Sequence, residues 1–120
     1  MLKNINEKDI NEVWHKKYFE ICKLRMSETS YKKMIEEINC IIDEKLESNS
    51  KLIVRKIFPK KAWRNTIWEE AYTKACSQDD CYSGQFVGLL VCQELIARGE
   101  TWYFIKSDVA SNMVYFNKCA

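Results

Sequence analysis

Residues 79–100 read DDCYSGQFVGLLVCQELIARGE, and inside them Phe86 to Cys92 is a run of seven residues without a charge or a strongly polar group. No other segment of the chain is as apolar. Acidic and turn-forming residues open the stretch and Arg98-Gly99 closes it, the pattern of a helix with an acidic first turn and a glycine after its end. It reads as a buried central helix from about Asp79 to Arg98, with Gly99 as C-cap. Gly84 and Gly88 are four apart and so share one helical face. A glycine inside a soluble helix costs about 1 kcal/mol against alanine. Two on one face point to close approach by another backbone or a bulky ring.

Upstream, Pro59 suits the first turn of a helix to about Ser77, with Trp63, Ile67, Trp68, Ala71, Tyr72 and Ala75 as its apolar face. Before it, Leu52 to Phe58 (LIVRKIF) is rich in β-branched residues and is stopped by Pro59, which predicts a strand. Ser27-Glu28-Thr29-Ser30 is a helix-start cluster. The helix it opens runs to about Leu46, with Tyr31, Met34, Ile35, Ile38, Ile42 and Leu46 at i, i+3, i+4 spacing. A first helix is expected from about Glu7 to Met26, capped by Asn6 and striped by Ile10, Val13, Trp14, Tyr18 and Ile21. The short break between these two helices argues for an antiparallel helical hairpin.

Downstream, Thr101 to Lys106 (TWYFIK) and Met113 to Asn117 (MVYFN) are aromatic strands joined by a short polar link over 107–112, a β-hairpin. The expected fold class is α+β: a helical hairpin plus two further helices packed on a small, mainly antiparallel sheet, in the order ααβααββ. The sheet would hold the 52–58 strand and the C-terminal hairpin.

The 120 residues match the size of one domain, 1–120, and can bury a core without staples. One Pro and three Gly argue against long linkers. Four Trp, six Tyr and five Phe are a heavy aromatic load, enough to supply an interface as well as a core. Frequent Lys, Ile and Asn resemble AT-rich coding bias, as in a low-GC bacterium or its phage. No leader-like apolar segment opens the chain and no run of about 18 apolar residues occurs, so the expectation is a cytoplasmic protein with no membrane partner. Thiols would then stay reduced.

The six cysteines, at 22, 40, 76, 81, 92 and 119, are irregularly spaced and form no Cys-x-x-Cys pair. Structural zinc sites favour tight pairs, so no metal and no cofactor is expected. The single histidine, His15, neighbours Trp14 and reads as a partly buried structural residue. Adjacent carboxylates such as Glu36-Glu37 and Asp43-Glu44 point in different directions on a helix, and Asp79-Asp80 is explained by capping. Phosphate-loop, nucleophile-elbow and zincin motifs are absent. No catalytic set emerges, and the expectation is a protein that is not an enzyme.

The strongest asymmetry is charge. Residues 51–78 carry seven basic and two acidic side chains, whereas residues 1–50 carry nine basic and ten acidic. Lys51, Arg55, Lys56, Lys60, Lys61 and Arg64 fall in a stretch that holds no acid, with Phe58 and Trp63 interleaved. Positive charge at the start of a helix opposes its dipole, so these residues want a partner. One such partner is internal, namely Glu69, Asp79-Asp80 or the acids of the second helix. Another is a protein with an acidic surface. Arg55, Lys56, Lys60, Lys61, Trp63 and Arg64, with Trp102 and Tyr115 from the hairpin as anchors, then form the contact surface. The expected function is a small inhibitor, immunity protein or adaptor that occludes a macromolecular partner. Nucleic acid is the alternative partner for the same segment 51–64, through phosphate contacts and base stacking. An aromatic edge strand at the C-terminus would favour a homodimer.

Overall fold

In a computed structural model, residues 1–4, 6–59, 61–105 and 110–117 are described, Ile105 by its backbone only. The central helix is α3, Asp80–Ala97. Asp79 caps it by accepting from the Tyr82 N–H at 2.9 Å. Phe86 to Cys92 are all buried, so for two turns the helix has no polar face. It can be apolar all round because other elements cover it on every side. The helices α1 (Lys16–Leu24) and α2 (Glu28–Glu47), a π-helical segment (Ala71–Ala75), the 3-10 turns Val54–Lys56 and Ala110–Asn112, and the strand β1 (Leu2–Lys3) all touch it.

The two glycines of α3 mark its closest approaches. A Cβ built on Gly88 would lie 2.5 Å from the Ala110 carbonyl oxygen and 2.6 Å from its carbon. A Cβ on Gly84 would lie 2.9 Å from Phe58 Cζ. One glycine thus admits a backbone and the other a ring, as the spacing predicted. Gly99 does neither: its φ is not positive, a Cβ there would meet nothing within 4 Å, and the helix ends at Arg98 in extended backbone. The expected glycine C-cap is therefore corrected.

Among the described residues the sheet has five strands in the order β2-β1-β4-β5-β3, so the molecule is an α+β fold with a mixed sheet. β4 (Trp102–Ile105) and β5 (Val114–Asn117) are the predicted hairpin, antiparallel with Phe104 opposite Tyr115. β3 (Leu52–Ile53) pairs antiparallel with β5, and β1 pairs parallel with β4. The hairpin occupies the middle of the sheet. The premise of an aromatic edge strand, from which a homodimer was argued, is corrected, because both edges are two-residue strands.

Three expectations from the periodicity need correction. The first helix begins at Lys16, not near Glu7. Asn4 accepts from the Asn6 and Lys8 N–H groups through its side chain at 2.9 and 3.0 Å, and this turn folds β1 against β2 (Asp9–Ile10). The core face of α1 is Phe19 and Cys22; Ile21 is exposed. The strand expected to reach Phe58 stops at Ile53 and turns into the 3-10 segment. The third helix does not start at Pro59. Asn65 has a left-handed backbone (φ 62°), and the Thr66 hydroxyl donates to the Trp63 carbonyl at 2.6 Å and accepts from the Trp68 N–H. That local bonding competes with a helix, so helical structure begins only around Glu69.

The second helix matches the expectation closely. Ser27 caps α2, and Met34, Ile38 and Ile42 are fully buried. α1 and α2 do not form a hairpin packed chiefly on itself: α1 rests on the π segment and α3, and α2 rests on α3.

The glycines make a discriminating series in chemical denaturation. Gly88→Ala should destabilise by about 2–3 kcal/mol, because a backbone must move, and this outweighs the helix-propensity gain of about 1 kcal/mol. Gly84→Ala should change stability by less than about 1 kcal/mol, since a ring can shift. Gly99→Ala should be neutral.

Candidate functional site

The 3-10 turn that follows β3 decides how the basic segment is displayed. It buries Val54 and sends Arg55 and Lys56 outward, where both are exposed. Lys51 is also exposed, at the start of the segment. Lys61 and Arg64 are exposed on the loop that follows. Lys60 lies outside the described residues.

Trp63 holds that loop in place. Its ring stacks between Phe58 (centroids 5.3 Å apart, planes at 18°) and Tyr72 (5.9 Å, 5°). It is fully buried, and its indole N–H has no hydrogen-bond partner among the described residues. Trp63 therefore holds the loop from inside and presents no ring at the surface. Trp102 and Tyr115, expected as hairpin anchors, are also fully buried. The Trp102 indole donates to Glu100 at 3.2 Å. The Tyr115 hydroxyl sits near the Cys92 thiol, and burial pushes its pKa well up. The expected contact surface loses its three aromatics for one reason: each completes the core beside α3 or within the sheet.

A second junction fixes the far end of the loop. The Glu70 carboxylate accepts from the Ser30 hydroxyl, from the Ser27 N–H at 2.8 Å and from the Ser27 hydroxyl at 2.9 Å. The Ser30 and Ser27 hydrogen bonds hold its pKa below the usual carboxylate range, with Lys74 at 3.8 Å adding to this. The start of α2 and the end of the cation-bearing loop are thus tied through one carboxylate.

The internal neutralisation considered from sequence does not occur among the described residues. Lys51, Arg55, Lys56, Lys61 and Arg64 take part in none of the ion pairs found there. Arg64 instead donates to the Gln78 side chain at 3.3 Å. Glu69 and Asp79-Asp80 leave the cations unpaired.

Sequence reasoning missed a cleft beside this shoulder. It has a volume of about 530 Å³ and lies between the end of α2 and residues 50–57. Ile41, Leu52, Ile53 and Ile57 supply its apolar wall; Glu44, Lys45, Lys51 and Lys56 supply its charges. Lys45 was invisible as a site residue because it belongs to the polar face of a regular helix. Only the position of β3 at the sheet edge brings it near Lys51 and Lys56. A second cleft, of about 430 Å³ and lined by Ser30, Lys33, Asn65, Thr66, Ile67, Glu69 and Glu70, sits at the Glu70 junction.

Of the groups weighed for chemistry, Cys22 and Cys76 lie together with Tyr18, and Cys119 lies outside the described residues. His15 is exposed, not partly buried, and stands in left-handed backbone (φ 52°) just before α1. Cys22, Cys76 and Cys92 are buried, and Cys40 and Cys81 are exposed. Burial pushes the Cys76 and Cys92 thiols up to about 12, so both stay protonated at neutral pH and are poor nucleophiles. The Tyr18 hydroxyl lies 3.7 Å from Cys76 Sγ, and burial raises its pKa as well. Among the described residues no group of three or more His, Cys, Asp or Glu is placed to hold a metal ion, and no helix is long and apolar enough to cross a membrane.

No protein-family model, curated protein or solved structure matches this chain.

The Glu70 junction predicts a signed pH effect. A carboxylate whose folded pKa is lowered adds stability above its ordinary pKa and loses that contribution as pH falls through the folded value. Glu70→Gln should therefore destabilise the protein by about 1–2 kcal/mol at pH 7. The gap to the unmodified protein should narrow below about pH 4 in thermal melts.

Proposed function

We propose that the protein is a small binding protein, of the inhibitor, immunity or adaptor type, which occludes an acidic macromolecular partner and does not act by catalysis. The observation that carries this reading is the exposed set Arg55, Lys56, Lys61 and Arg64. It is displayed by a 3-10 turn and a Trp63-anchored loop, without an ion pair among the described residues. Unpaired cations on an ordered scaffold lose little conformational entropy when they meet carboxylates, and they steer association over about a Debye length. Lys60 belongs to the same run of sequence and is included in the proposed surface.

A protein partner is favoured over nucleic acid by one placement. Burial of Trp63 removes the largest ring of the segment as a platform on which a base would stack, which weakens the stacking half of the nucleic-acid reading.

The test is retention on the immobilised protein from a lysate of its native host. The unmodified chain should hold a protein at low salt and release it by roughly 0.5 M salt. The Arg55→Glu/Lys61→Glu variant, checked for native melting, should hold none of it. Equal retention by both would overturn the reading. So would binding to single- or double-stranded oligonucleotides at low salt with no protein retained.

A further inference from the structure

Beside the shoulder, the cleft at the β3 edge carries its own chemistry. Ile41, Ile53 and Ile57 are half-buried and leave apolar surface within it. Three lysines, Lys45, Lys51 and Lys56, share its rim with a single acid, Glu44. None of these lysines is in an ion pair among the described residues.

Lys45 stands in the last turn of α2, where a cation would ordinarily serve the helix end. Here three of the last four carbonyls already accept from backbone: Ser48 N–H donates to the Glu44 carbonyl, Asn49 N–H to Leu46 at 3.2 Å, and Ser50 N–H to Lys45 at 2.9 Å, so the ammonium is not needed to cap these. β3 is an edge strand of two residues that turns at once into 3-10 structure, so its outer edge offers too short a template for strand addition. Recognition there must work through side chains.

We infer that this cleft seats a short acidic segment of a partner protein, which sets one apolar side chain on Ile41, Ile53 and Ile57 and its carboxylates on Lys45, Lys51 and Lys56. The charge of the rim selects acids, and the volume of about 530 Å³ suits a side chain or two with their backbone. The inference rests on the shoulder reading, since Lys56 belongs to both surfaces, and it names what the partner brings.

Fluorescence anisotropy with a dye-labelled acidic peptide containing one central leucine tests it directly. The unmodified chain should bind this peptide saturably at micromolar concentration, and several-fold more weakly when serine replaces the leucine. Ile41→Gln/Lys45→Glu, which leaves Arg55, Lys56, Lys61 and Arg64 intact, should weaken binding by about tenfold. Lys45→Glu alone serves if the double variant fails to fold by circular dichroism, and it should also weaken binding. Absence of saturable binding would overturn the inference, as would equal affinity in the cleft variants. Loss in Arg55→Glu/Lys61→Glu with no loss in the cleft variants would overturn the cleft alone and leave the shoulder standing. A concentration-dependent dimer in sedimentation that the cleft variant abolishes would overturn it in favour of a second copy of the chain.

Discussion

Where α3 crosses the turn at Ala110, the two backbones approach so closely that even a methyl group on Gly88 would strike a carbonyl. Much follows from that contact. The turn leads directly to Met113, which is buried and whose carbonyl accepts from the Val54 N–H at 3.2 Å. It continues into β5, which pairs with β4 on one side and β3 on the other. One turn earlier on α3, Gly84 receives the Phe58 ring, which stacks on Trp63. The two glycines therefore set α3 against the sheet and against the loop that carries Lys61 and Arg64. A helix without a polar face can exist in a chain this short only because it is approached so closely from several directions.

The polar groups of the molecule divide into two kinds. Arg98 and Glu70 are committed to the fold. Arg98 donates to Glu100, to Asp43 and to the Asn39 side chain, joining the end of α3 to the middle of α2. Burial pushes the Glu100 carboxyl up, but the hydrogen bonds from Arg98 and Trp102 outweigh it and leave the pKa lowered. Glu70 ties the π segment to the start of α2. The shoulder cations show the opposite behaviour: they are exposed, clustered and unpaired among the described residues. Exposed charges held in that way contribute little to folding.

The elements with long, regular patterns were legible in the sequence. α2, α3 and the β4–β5 hairpin stand within a residue or two of their expected ends, and the close approaches at Gly84 and Gly88 followed from spacing alone. β1 and β2 were illegible because two residues carry no period, and their pairing depends on a distant strand and on the Asn4 turn. The 59–77 helix failed because side-chain bonds of Thr66 and the left-handed Asn65 override a helical apolar spacing that the core uses differently. Of the candidate surface, the described cations are exposed as their charge density suggested, but aromatic abundance misled: Trp63, Trp102 and Tyr115 are core residues. Composition gives the number of rings and not which side of the surface they occupy. Lys45 and the cleft required the three-dimensional placement of β3 beside α2.

The claim that the shoulder cations are kept for a partner and not for the fold is tested most directly by the thermal stability of Arg55→Gln/Lys56→Gln/Lys61→Gln. Removing mutually repelling, unpaired charges should raise the melting temperature by about 2 °C at low salt and flatten its rise with added salt. A fall in melting temperature would mean that these charges hold the structure together, and would contradict the account.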